Sequence, residues 1–417
     1  MELNQATLDF IDTHSKDDVR QLALQGKRNS DVDMPAALQQ IAGIQAARRK
    51  VPSWAETKGL LYPPHLSMEQ CSSESTARYK ATLTTRLTGG TCKKGRLVDL
   101  TGGLGVDFSF MARMFMEAVY VERNVQLCAI SSVNFPLLGL HGAVIENTGS
   151  EAFLEQLQEA TLIYMDPARR SEKGRRTYAM EDCTPNVLGL LPVMLQKAPF
   201  LLLKLSPMLD ISAAVTALNK AAQGRGCVEE VHVVAVGGEC KELLFALSRT
   251  VESHSPLFYC VNDGKQFRFD TMEVRLPVEV SNPWDSLPLW LYEPDAAIMK
   301  AGCFGLLCHR FGVKTIAANS HLFWSKQPIE DFPGRTFCID TLCSMNKKAL
   351  RLALDGVDRA NISVRNFPMA AEQLRKRLKL KDGGERYIFA TTLDNREHVL
   401  LIGKKTQNTS PDSSVKL

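Results

Sequence analysis

From about residue 95 to residue 249 the chain repeats one unit: a short apolar run, then a helical segment. The runs fall at 96–100, 118–122, 143–147, 162–166 and 200–205. Runs of this length, with helices between them, read as buried strands that must lie parallel, because a helical crossover returns the chain to the same edge. That pattern predicts an open parallel sheet with helices on both faces. The end of the region differs. The string "EEVHVVAVGGECKELLFALSR" reads as a strand, a turn region at Gly237-Gly238 and a second strand. The expectation is five parallel strands closed by a hairpin, seven in all.

The flanks have other periods. Residues 1–88 carry apolar residues at three- and four-residue steps, as in "DMPAALQQIAGIQAARRKV", and read as a helical region. Pro35 suits a first helical turn, and Ser73 or Ser75 is a candidate helix cap. Residues 89–250 form the expected sheet domain. Residues 251–331 alternate apolar and polar positions around an Asn262-Asp263-Gly264 turn and read as a small α+β domain. Residues 332–405 give a further α+β pattern that ends in a hairpin, and 406–417 are a polar tail.

Composition excludes several classes. Apolar residues are 45% and charged residues 23% of the 417, so the chain is globular rather than disordered or fibrous. The eleven cysteines include no CxxC pair, which argues against a zinc site and for free thiols in a reducing cytosol. No metal site is expected. The first twenty residues lack a basic segment followed by an apolar one, so no secretory signal is read. The most apolar stretch, 187–209, is broken by Lys197, Pro199, Lys204 and Pro207, so no membrane span is expected. A cytoplasmic location follows as an expectation.

The first apolar run continues as "LVDLTGGLGVDF". A strand ending at Asp99 meets a loop with Gly102, Gly103 and Gly105, then a helix. Glycines there let the backbone approach a ligand at the carboxyl edge of the sheet. The second run ends in Glu122, 17 residues after Gly105. An acid in that place can accept both hydroxyls of a ribose. A dinucleotide would want GxGxxG, but the third glycine is missing and Asp107 would face its pyrophosphate with like charge. S-adenosylmethionine carries a sulfonium and an ammonium, which acids at Asp99 and Asp107 suit. The fourth run ends in "YMDPARR", placing Asp166 and Pro167 at the mouth beside the methyl donor. Pro167 holds Asp166 extended.

"DLTGGLGVD", "VYVERN" and "YMDPARR" resemble motifs of class I S-adenosylmethionine-dependent methyltransferases. With "LLYPPHLSMEQCSSESTARYKA" and "RYIFATTLDNREHVLLIGKK", the chain resembles the bacterial members that carry a THUMP-like C-terminal domain. The resemblance implies a Rossmann-like seven-stranded α/β domain with ferredoxin-like and THUMP-like α+β modules after it. It implies that Asp99, Thr101, Gly102, Gly103 and Gly105 lie around the methionine part of the cofactor, with Glu122 at the ribose. It also implies that Asp166 and Pro167 stand beside the acceptor. Thr101 departs from the glycine of many members. The loop after the third strand, "ENTGSEAF", lacks the usual adenine-binding Asp, and Asn147 or Ser150 is expected to serve instead.

The acceptor is less determined. No aromatic ring follows Asp166-Pro167 to stack on a flipped base. The "DPAR" string resembles uracil-C5 methyltransferases, but Ser206 stands where their thiolate nucleophile would be needed. Residues 169–176 hold five positive charges and one negative, including Arg169, Arg170, Arg175 and Arg176. A second basic run holds Arg375, Arg377 and Lys379. Two such runs favour RNA, such as tRNA or rRNA, as the partner through phosphate contacts. The rival readings are a small-molecule methyltransferase and a non-catalytic cofactor-binding RNA module.

Overall fold

The computed structural model describes residues 3–25, 31–169, 180, 183–249, 255–283 and 287–406. The chain divides into two compact units: Met1–Val236 with Lys241–Pro256, and Gly237–Cys240 with Leu257–Leu417.

The first unit begins with helices. Gln5–His14, Val19–Gln25 and Met34–Lys50 close on Ile11, Leu22, Val32, Ala37 and Ile41. Asp33 caps the third of them by accepting from the Ala36 N–H, and Pro35 lies in its first turn. Ser73 caps the helix Glu74–Leu87 by accepting from the Thr76 N–H. Thr76, Ala77, Lys80, Ala81 and Thr84 form its buried face, at the spacing a helix requires. Lys80 is therefore a cation at a core position.

Seven strands follow: β1 Arg96–Asp99, β2 Glu117–Val121, β3 Ala143–Glu146, β4 Leu162–Met165, β5 Phe200–Leu205, β6 Cys227–Val236 and β7 Glu239–Ser248. Their spatial order is β6-β7-β5-β4-β1-β2-β3. The first five are parallel, and β7 runs antiparallel to β5. The chain winds one way from β1 through β2 to β3 and the other way through β4 to β5. The crossovers therefore part between β1 and β4, and open α/β sheets bind ligands in the crevice that such a reversal leaves at the carboxyl ends. All four residues of β4 are buried, as a central parallel strand demands.

In the second unit, Leu257–Asn262 and Lys265–Asp270 form an antiparallel hairpin. A seven-stranded sheet holds Lys314–Thr315, Phe323–Ser325, Leu289–Pro294, Gly334–Ser344, His398–Lys405, Arg386–Thr392 and Asn361–Arg365, in that spatial order. Its neighbouring residues belong to opposite faces. Phe389 and Leu401 pack with Leu291, Trp324 and Phe337, while Ile388, Leu400 and Ile402 pack with Leu374. That alternation is the two-residue period of a strand covered on both sides. Among the described residues no helix is long and apolar enough to cross a membrane.

Candidate active site

The loop after β1 is shaped by contacts behind it. A Cβ on Gly102 would lie 2.2 Å from the ring of Tyr120, so only glycine lets the loop seat against β2. Gly105 has φ +82°, and a Cβ there would approach Phe135 to 2.9 Å. The Tyr120 hydroxyl donates to the Gly103 carbonyl. Residues 99–107 wall a cavity of about 900 Å3 at the carboxyl ends of β1, β2, β4 and β5. That volume is in the range of small-molecule sites.

Asp99 is 1% exposed and accepts from the Thr101 N–H at 2.9 Å through Oδ1. Burial pushes its carboxyl well above the usual range, against the opposing pull of that N–H. No cation pairs with it among the described residues. Glu122 uses one lone pair on each oxygen: Gly103 N–H donates to Oε2 and Asn124 N–H to Oε1, both at 2.8 Å. The carboxylate is thereby fixed in orientation, with two further lone pairs to offer.

Thr101 ties two loops together, since its Oγ1 accepts from the Asp166 N–H at 2.6 Å. Asp166 Oδ2 accepts from Lys204 Nζ at 2.6 Å. Lys204, on β5, also donates to Ser72 Oγ at 3.0 Å and lies 3.6 Å from Asp107 Oδ2. Behind it Lys80 pairs with Asp107 Oδ1 at 3.2 Å and donates to both oxygens of Glu242, at 2.6 and 2.8 Å. Ser72 Oγ and Tyr164 OH donate to Asp107 Oδ2 at 2.7 and 2.8 Å. Burial alone would raise the Asp107 carboxyl, but Lys80 and Lys204 outweigh it and hold it down, at about 2. Asp107 was expected to face a cationic ligand. The structure gives that charge to two lysines of the chain instead.

Of the predicted cofactor residues, Asp99, Thr101, Gly102, Gly103, Gly105, Glu122 and Ser150 line the cavity, together with Asp166 and Pro167. Ser150 Oγ donates to the Leu100 carbonyl at 2.7 Å. Asn147 is not in that wall. Its Nδ2 donates to the backbone carbonyl of Glu122 at 2.9 Å, where it steadies the end of β2. The Arg169 backbone pairs with Cys183 in a short ribbon. Its side chain, and Arg170, Arg175 and Arg176, lie outside the described residues. Arg375 lies in the helix Ala371–Leu378 and pairs with Asp382 at 2.5 Å, while Arg377 and Lys379 are exposed.

The sequence reading passed over Ser72, Lys80, Lys204 and Glu242. One signal was available: Lys204 interrupts the apolar strand "FLLLKL", where a charge is costly unless paired.

A family model described as a ferredoxin-like domain matches residues 290–333, and one described as THUMP domain-like matches residues 334–405. Among solved structures, a "putative methyltransferase" from Porphyromonas gingivalis W83 is 31% identical with a TM-score of 0.82. The match covers 98% of this chain and 100% of that one. A SAM-dependent methyltransferase from Agrobacterium tumefaciens matches at 14% identity and TM-score 0.33, over 42% of this chain and 62% of that one. An rRNA methylase from Streptococcus thermophilus matches at 14% and 0.32, over 42% and 94%. These two likenesses are too distant to carry argument. A comparison with curated proteins found no match. The near-complete match at 31% identity decides the family: the chain belongs to the methyltransferase family of that protein and carries ferredoxin-like and THUMP-like C-terminal domains.

Proposed function

We propose that the chain binds S-adenosylmethionine in the β1–β4 crevice and methylates RNA. The observation that carries the cofactor half is the contrast between Asp99 and Asp107. Asp107 has two lysines, whereas Asp99 is buried with no basic partner among the described residues. A cationic ligand in the cavity relieves that penalty, and an anionic one aggravates it. Glu122, with one lone pair of each oxygen already committed, fits two vicinal ribose hydroxyls. The bound cofactor supplies a methyl group on a sulfonium. The chain's own residues then have to position an acceptor, since displacement at a methyl carbon is accelerated chiefly by alignment. Thr101 and Lys204 fix Asp166 at backbone and carboxylate, and Pro167 restricts the turn it starts.

The RNA half rests on the THUMP-like match and on the exposed Arg377 and Lys379, with residues 169–176 contributing charge in sequence. Calorimetry should show S-adenosylhomocysteine binding, and Glu122→Ala should weaken it by roughly 1.5–3 kcal/mol through lost charged hydrogen bonds. Asp166→Ala should lose transfer of labelled methyl to RNA by about a hundredfold or more while keeping that affinity. Binding of NAD but not of S-adenosylhomocysteine overturns the cofactor half. Label that enters small molecules but not RNA overturns the other.

A further inference from the structure

Lys204 on β5 and Asp166, the residue that follows the neighbouring parallel strand β4, meet in the wall of the cavity, 2.6 Å apart. Two of the three ammonium hydrogens are taken by Asp166 Oδ2 and Ser72 Oγ. Asp107, at 3.6 Å, is an ion-pair partner beyond hydrogen-bond reach. Among the described residues nothing bonds Asp166 Oδ1, and that side chain is 38% exposed. This edge therefore offers a cationic N–H donor beside a carboxylate acceptor.

An acceptor atom that satisfies both must donate and accept at once. A hydroxyl oxygen does so. The amino group of a nucleobase donates only, because its lone pair is delocalised into the ring, and a ring carbon does neither. The pair is also rigidly backed. Lys80, with no exposed side-chain surface, is locked to Glu242 and Asp107, and Asp107 is held by Ser72 and Tyr164. A base acceptor would want an aromatic platform or a thiolate. Ala168 and Arg169 follow Pro167, and Ser206 follows β5.

We infer that the acceptor is a hydroxyl oxygen, in RNA the ribose 2′-hydroxyl, gripped between Lys204 and Asp166. This rests on the RNA-methylation reading and names the atom. The oxygen forms a bond to the methyl carbon, the carbon–sulfur bond breaks with its electron pair left on sulfur, and the hydroxyl proton passes to Asp166 and on to water. Lys204 loses some basicity to burial but gains more from Asp166 and Asp107, which hold it above the usual lysine range. It stays an ammonium and steadies negative charge on the oxygen as the proton leaves.

The test incubates the full chain with methyl-labelled S-adenosylmethionine and RNA from cells lacking this protein, then digests the RNA in alkali. A 2′-O-methyl group prevents attack on the adjacent phosphodiester, so the label should appear in alkali-stable dinucleotides. Label in mononucleotides places the methyl on a base; it overturns this inference and leaves RNA methylation standing. Absence of label in RNA, with S-adenosylhomocysteine bound, overturns the RNA reading and this inference together. Lys204→Met should lose transfer at least a hundredfold while its affinity for S-adenosylhomocysteine stays within threefold. Lys204→Arg, which keeps the charge, should lose less than Lys204→Met. A loss under threefold in the Met variant, or a parallel collapse of cofactor affinity, overturns the role given to Lys204. If that variant fails to fold, the alkali digest of the wild-type product still decides the acceptor atom.

Discussion

Asp107 in the first unit and Glu293 in the second are both buried carboxylates held by two cations, yet they are built differently. Glu293 bonds Arg335 and Arg365, whose side chains are 48% and 35% exposed. Those arginines sit on the strands Gly334–Ser344 and Asn361–Arg365, and the cluster joins strands of one sheet. Arginine suits that work, with a flat fork that keeps much of its hydration. Asp107 is held by Lys80 and Lys204, whose side chains are 0% and 13% exposed. A compact ammonium is costlier to bury than a guanidinium and binds with less geometric fit. A cluster that only fastened the fold would gain nothing from that choice. One that lines a cavity gains a charge at a fixed point.

The largest test of this contrast is Lys80→Met. It leaves Glu242 and Asp107 buried without their shared cation and should cost about 3–5 kcal/mol in urea unfolding, as broken buried pairs do. A cost under about 1 kcal/mol would show that the network does not need Lys80. Acid unfolding comes next. The folded Asp107 carboxyl lies at about 2 against an ordinary 3.8. Its folded value is depressed, so its contribution is fully present above about pH 4 and is lost as pH falls through 2. Wild type should therefore lose stability across that window more steeply than Asp107→Asn, and equal slopes would deny the pairing. Ser72→Ala removes one donor to Asp107 and should cost about 1.5 kcal/mol. Glu293→Gln should cost least, about 1 kcal/mol or less, because its arginines remain half in water. A larger cost there than in Lys80→Met would reverse the comparison.

The sheet was legible because its strands are short apolar runs with helical segments between, the pattern of a parallel sheet. The glycine loop was legible because its constraint is local: Gly102 and Gly105 are adjacent in sequence to the strand they leave, and β2 brings Glu122 alongside. The charge network was not, because its members come from far apart. Lys80 and Glu242 are separated by 162 residues. Periodicity finds a face of a helix but does not say which charge waits opposite it. Asn147 shows the converse. It lies in the expected loop, but its amide donates to the backbone carbonyl of Glu122, which the Cys128 thiol also reaches.

The hydrogen bond from the Asp166 amide to Thr101 Oγ1 makes Thr101 part of a built-in reporter. An amide held at 2.6 Å by a neighbouring loop exchanges with solvent only when the two loops part. Deuterium uptake at Asp166 therefore clocks the opening of the crevice. Thr101→Val would release that clock without altering either strand.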